Sequence, residues 1–108
     1  MASSKEYLDF VLEQLEGAEG LSARAMMGEY LLYCRGQVVG GVYDDRFLLK
    51  PTPGALRLLS SAGIEPEYEL PYPGAKEQLL APADDGALCR LLVQTIAEEL
   101  SAPKKRRS

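Results

Sequence analysis

Two tight-turn signals within residues 23–50 constrain the fold of this 108-residue chain most strongly. Arg35-Gly36 separates two apolar runs, and Asp44-Asp45 separates the second run from a third. Two-residue connections of this kind join antiparallel strands, because glycine tolerates the positive φ that tight hairpin turns require. The pattern predicts strands at about 29–34, 37–43 and 46–50, with a short strand before them near 23–27.

Two-residue turns also fix the strand register, and so they assign side chains to the two faces of the sheet. One predicted face is uninterruptedly apolar and is expected to meet the core: Leu31, Tyr33, Val38, Gly40, Val42, Phe47 and Leu49. The other face is mixed, too apolar for a solvated surface and too polar for a buried one: Tyr30, Leu32, Cys34, Gln37, Val39, Gly41, Tyr43, Arg46, Leu48 and Lys50.

Helix signals flank this strand region on both sides. Ser3 and Glu6 have the spacing of a capping box at the start of a first helix. Apolar residues then recur on one helical face, at Leu8, Val11, Leu12 and Leu15. Thr52-Pro53 is typical of the start of a second helix, which is expected to run to about Ala62 and to be closed by Gly63.

The remaining third of the chain predicts one strand and one more helix. Residues 64–74 are proline-rich and irregular, and residues 75–81 can hold a strand. Asp84 or Asp85 is expected to cap a last helix with an apolar stripe of Leu88, Leu92, Ile96 and Leu100 around Cys89. The element order α-β-β-β-β-α-β-α indicates a two-layer α+β fold, in which helices cover one face of an antiparallel sheet of about five strands.

Composition excludes several classes of site. The chain has no histidine, which removes Ser-His-Asp and Cys-His catalysis and histidine-containing zinc sites. Its two cysteines, Cys34 and Cys89, form no C-x-x-C pair. Cys89 is expected to be a buried core residue, and Cys34, placed at a turn on the outer face, is expected to react sooner with thiol reagents. No apolar run is long enough to span a membrane. Two unpaired cysteines and the lack of an apolar signal segment at the N-terminus predict a cytoplasmic protein. We expect neither a metal nor a cofactor.

The charge is unevenly distributed. Residues 1–102, the predicted domain, hold all 16 acidic residues and 8 of the 12 basic ones, a net charge of −8. An acidic body is not expected to bind DNA directly, since affinity for phosphate depends on lysine and arginine. Residues 103–108 are predicted to be a disordered basic tail, with weak anchoring to nucleic acid or to an acidic membrane surface as the alternative.

The stretch from Arg24 to Lys50 resembles the TfoX N-terminal-domain family, also called the Sxy family of competence regulators. The resemblance rests on Arg24, Met26, Gly28, Tyr30, Tyr33, Gly36, Asp45, Arg46 and Lys50, and it extends over about residues 3–102. It implies a two-layer α+β fold and a bacterial regulatory role as a coactivator rather than an enzyme. The family supplies no accepted catalytic motif.

The mixed face is the best candidate for a functional surface. Tyrosine and arginine are favoured at interface hot spots. The candidate interface consists of Arg24, Tyr30, Leu32, Tyr43, Arg46, Leu48 and Lys50. One hypothesis is a non-enzymatic module that binds a protein partner or pairs as a homodimer through this face. The other is a small-molecule binder or enzyme that uses Arg24, Tyr30 and Lys50. A third possibility is that the 64–74 segment covers the face within one chain.

Overall fold

The computed structural model describes residues 4–101. Their helices are α1 (Lys5–Gln14), α2 (Pro53–Ser61) and α3 (Gly86–Ser101). Their strands are β1 (Leu21–Met26), β2 (Glu29–Cys34), β3 (Gln37–Tyr43), β4 (Arg46–Leu49), β5 (Tyr68–Glu69) and β6 (Gln78–Leu80). The strands form one antiparallel sheet in the order β1-β2-β3-β4-β6-β5, and the helices pack on it. The predicted α+β class is confirmed, and the sheet gains a strand because residues 68–69 pair with β6.

Three successive two-residue turns build the first four strands. Met27-Gly28, Arg35-Gly36 and Asp44-Asp45 all have positive φ at both positions. That is the requirement of the type I′ turn, whose twist matches that of the strands it joins. The last two turns are as predicted. The Met27-Gly28 turn was not predicted, since methionine lacks the local hydrogen bonding that favours Asn or Asp there.

A β-bulge in β3 reverses one of the predicted faces. Tyr33 pairs with Val38 and Leu32 pairs with Gly40, so Val39 has no partner in the ladder. Successive side chains alternate between the two faces of a sheet. One extra residue in β3 therefore moves every β2 side chain to the face opposite the predicted one, relative to β4 and to β3 beyond the bulge.

Because of the bulge, the core contains different β2 and β3 residues from those predicted. The expectation that Leu31, Tyr33 and Val38 face the core is wrong, and each of them is only partly buried on the outer side. Three residues predicted for the mixed face lie in the core instead: Leu32, Cys34 and Val39. The prediction for Val42, Phe47 and Leu49 is confirmed.

Helix α1 begins one residue later than the capping box predicts. Its N-cap is Ser4, whose hydroxyl accepts a hydrogen bond from the Tyr7 N–H at 3.1 Å. Ser3 lies outside the described residues. The Ser4 N–H also donates to the carboxylate of Asp45 at 2.8 Å, which ties the β3–β4 turn to the start of the helix. Leu8 and Val11 are buried on the predicted face.

Helices α2 and α3 begin where their caps were predicted. Thr52 accepts from the Ala55 N–H at 3.2 Å, and Asp85 accepts from the Leu88 N–H at 3.2 Å. The apolar stripe of α3 is buried as far as Ile96, but Leu100 is exposed, contrary to prediction, because the last turn extends beyond the core cluster.

The two helices meet closely at Gly54. Its N–H donates to both carboxylate oxygens of Glu99, at 3.0 and 3.2 Å. A Cβ at this position would lie 2.6 Å from the Thr95 methyl group, so only glycine permits this approach. The negative charge of Glu99 is thereby held at the positive end of the α2 dipole.

The core is one cluster formed by all three helices and the helix-facing side of the sheet. Its largest fully buried side chains include Phe47, Leu49, Leu92 and Ile96. The predicted basic tail, residues 103–108, lies outside the described residues. Within residues 4–101, no helix has the length and apolar character needed to cross a membrane.

Candidate protein-interaction surface

The structure divides the predicted interface between the two sides of the sheet. Tyr30 pairs with Val42 and Leu32 pairs with Gly40, which places both side chains on the helix-facing side. Leu32 is fully buried, and Tyr30 packs against the margin of the core. Neither residue contributes to the outer face, so the prediction for these two is wrong, and the bulge at Val39 is the cause.

Tyr43 and Leu48 lie on the outer face as predicted, but they are covered. Leu48 is fully buried and Tyr43 is 3% exposed. The Tyr43 ring lies across Gly41, where a Cβ would come within 2.7 Å of it. Tyr72 packs against Tyr43 with ring centroids 6.2 Å apart at a tilt of 59°. Burial raises the pKa of Tyr43, and the neighbouring Tyr72 and Glu29 raise it further.

Arg46 holds the covering segment in place. Its Nη1 bonds the Glu69 carboxylate at 2.7 Å, its Nη2 donates to the Pro71 carbonyl at 3.4 Å and its Nε donates to the Tyr43 carbonyl at 3.1 Å. Residues 69–73, which we call the strap, are thereby fixed over the outer face. This arrangement matches the third possibility of the sequence analysis, in which the 64–74 segment covers the face within one chain. Tyr43 and Leu48 are therefore not exposed, and a homodimer through these two residues would need them to be exposed.

Arg24, Tyr30 and Lys50 do not converge on one pocket. Arg24 is exposed on β1 and its guanidinium lies 5.6 Å from the centre of the Tyr33 ring. Lys50 follows β4, which is three strands away, a distance of about 14 Å. It lines a separate cavity of about 300 Å³ with Thr52 and Gln78. Tyr30 faces the helices, so the polar contacts required by the small-molecule hypothesis are not assembled.

A groove that the sequence analysis missed lies between the β1–β2 turn and the strap. Two adjoining cavities of about 430 and 390 Å³ share Glu29 and Tyr72. We call them together the strap groove. Its apolar lining includes Met26, Met27, Leu70 and Tyr72, which are all exposed.

Met27 is the most exposed large apolar side chain described, at 96%, because it occupies the tip of a two-residue turn. Acidic groups border the same groove. Glu29 accepts a hydrogen bond from the Asp44 N–H at 3.0 Å, which places two carboxylates beside the methionines. The adjacent methionines before Gly28 were the sequence feature that could have indicated this surface.

Both cysteines are buried, contrary to the expectation that Cys34 is accessible. The Cys34 thiol donates to the Glu19 carbonyl at 3.3 Å, and the Cys89 thiol donates to the Pro82 carbonyl at 3.1 Å. Burial raises the pKa of Cys34 even though the neighbouring Arg35 lowers it. Burial also raises the pKa of Cys89 to about 12, with Asp85 and Asp84 adding to the effect.

The fold and this surface define a small α+β domain with an apolar groove on the outer side of its sheet. No family model matches the chain. It is 34% identical over 110 residues to the "Uncharacterized 12.7 kDa protein in trpE 5'region" of Spirochaeta aurantia, in a match that spans 100% of this chain and 92% of the relative. The chain therefore belongs to the same family as that bacterial protein.

Proposed function

We propose that this protein is a non-enzymatic regulatory domain that binds a protein partner through the strap groove. Such a role agrees with the resemblance of residues 3–102 to the TfoX N-terminal-domain family. One observation carries the proposal: Met26, Met27, Leu70 and Tyr72 expose apolar surface around a single groove. Exposed apolar patches bordered by polar groups are typical of protein-interaction sites.

The groove favours a partner segment with an apolar side chain next to lysine or arginine. Methionine adapts its shape to different apolar partners, and Tyr72 offers a rigid aromatic surface. Glu29 and Asp44 place negative charge at the rim, which suits a basic neighbour of the inserted side chain. The net charge of −8 over residues 1–102 adds a long-range attraction for a basic partner.

Four titratable side chains among the described residues have a displaced pKa. The residues with a displaced pKa are Tyr7, Cys34, Tyr43 and Cys89, and burial is the largest cause for each. Of the four, Tyr43 alone lines the groove, and its ring packs against Tyr72.

The test compares two exposed apolar residues on different surfaces. Met27→Asp places a charge in the groove, and Leu91→Asp places one on α3, where Leu91 is 51% exposed. Affinity capture from a native bacterial lysate should recover a partner with the wild type and with Leu91→Asp, but not with Met27→Asp. All three proteins should melt at similar temperatures, since neither side chain is buried. Equal recovery of the partner by both variants would contradict the proposal.

A further inference from the structure

The two edges of the sheet differ in how well they are protected. Strand β5 is two residues long and lies between Pro66 and Pro71, so its edge offers little to pair with. Strand β1 is six residues long and contains no proline. Within residues 4–101 no strand lies beyond β1, and five of its six residues are exposed.

The turn after β1 shows which backbone groups point outward. In a two-residue hairpin the closing pair, here Met26 and Glu29, is hydrogen-bonded, and hydrogen-bonded pairs then alternate along the ladder. Arg24 and Ser22 therefore direct their N–H and C=O groups toward β2. Leu21, Ala23 and Ala25 direct theirs away from the sheet.

The side chains leave this edge open. Ala23 is opposite Leu32 and Ala25 is opposite Tyr30, so both alanines lie on the helix-facing side of the sheet. Both are nevertheless exposed, and two methyl groups cannot shield a strand edge. Arg24 is on the other side, where its guanidinium lies over the Tyr33 ring.

We propose that β1 is the interface for a second copy of this chain, which adds its own β1 antiparallel to form one continuous sheet across a two-fold axis. An antiparallel strand is its own complement, as a two-fold interface requires. This inference rests on the strand edge alone and does not depend on the proposed function of the strap groove.

Charge and length select the register. Ladder bonds form when outward-directed residues oppose one another, so the two-fold axis passes through a residue of β1, and an axis near the middle of the strand pairs the most residues. An axis at Arg24 places two arginines directly opposite each other, which is unfavourable. An axis at Ser22 leaves Ala25 without a partner in the other strand.

An axis at Ala23 avoids both problems. It places Ala23 opposite Ala23 of the second copy, Leu21 opposite Ala25, and Arg24 opposite Ser22. Leu21, Ala23 and Ala25 of both copies then form one apolar row on the helix-facing side. Six-residue strands bury less area than a standard interface, so we expect a dimer that dissociates on dilution.

Sedimentation equilibrium on three proteins tests the pairing. The wild-type mass should double with increasing concentration. Ala23→Pro removes an outward N–H and no bond to β2, so it should fold and remain a monomer. Ala23→Thr keeps the N–H and should dimerise like the wild type. A wild type that stays monomeric at millimolar concentration, or an Ala23→Pro protein that dimerises as the wild type does, would overturn the proposal.

Disulfide formation provides a second test that does not rely on a proline variant. In the Ala23 register the two Ala23 Cα atoms lie about 5.5 Å apart, within disulfide range, whereas two Ser22 Cα atoms lie about 8 Å apart. Mild oxidation should link Ala23→Cys into dimers at least tenfold faster than Ser22→Cys. The native Cys34 and Cys89 are buried and add no background. Equal cross-linking rates for the two variants would refute the register.

Discussion

Replacing Tyr43 by alanine should lower the free energy of unfolding strongly without changing the oligomeric state of the protein. The side chain is 3% exposed and packs against Gly41 and Tyr72. Losing about 150 Å² of buried surface at about 25 cal/mol per Å² costs about 4 kcal/mol. The strap is a surface segment, so it can move into part of the cavity that the Tyr43 ring leaves and reduce the cost of that cavity. We therefore expect the free energy of unfolding to fall by about 3 kcal/mol.

Chemical and thermal denaturation measure this loss. For a domain of this size a loss of 3 kcal/mol lowers the melting temperature by roughly 12–24 °C. Tyr33→Ala is the matched control, because Tyr33 is a tyrosine on the same face of the neighbouring strand and is only partly buried. It should lose about 1 kcal/mol. Hydrogen exchange should also accelerate in strap residues 69–73 of Tyr43→Ala, since the Tyr72 ring loses its contact.

Two results would refute this reasoning about the covered face. Equal destabilisation by Tyr43→Ala and Tyr33→Ala would mean that the strap does not bury Tyr43 in solution. A Tyr43→Ala protein of half the wild-type mass at the same concentration would mean that a second copy covers the face instead.

Three further outcomes are expected. Glu99→Ala removes the acceptor of the Gly54 N–H and should cost about 1–2 kcal/mol by urea denaturation, whereas the exposed neighbour Glu98→Ala should cost less than about 0.5 kcal/mol. Neither Cys34 nor Cys89 should react with a thiol reagent at neutral pH before unfolding, and rapid labelling of Cys34 in the native protein would contradict its placement in the core. The folded-state pKa of Cys89 is raised from 9.0 to about 12. The buried neutral thiol therefore makes its full contribution to the free energy of unfolding below pH 9, and that contribution is lost as the pH rises toward 12. Wild-type stability should therefore fall up to about 1.4 kcal/mol per pH unit faster than that of Cys89→Ala in that window.

The sequence by itself determined the elements that depend on neighbouring residues. Arg35-Gly36 and Asp44-Asp45 form their turns because glycine and aspartate adopt positive φ. Thr52 and Asp85 cap their helices because their side-chain oxygens reach N–H groups three residues ahead. These are local interactions, and together with the spacing of apolar residues they were sufficient for the α+β class.

Only the tertiary structure decided which side of β2 meets the core. The side chains of β2 alternate between two apolar sets, and either set could be buried. The bulge at Val39 places the set with Leu32 and Cys34 toward the core and the set with Leu31 and Tyr33 on the outer side. The helices pack over the set that contains Leu32 and Cys34.

The strap likewise depends on contacts that are distant in the chain. Arg46 binds Glu69, which is 23 residues away, and Tyr72 covers Tyr43. A residue's spacing in the sequence does not show whether such a partner will reach it. The part of the sheet face around Tyr43 therefore looked open from its sequence pattern. It is covered because a remote, irregular segment is held against it by one aromatic contact and one arginine.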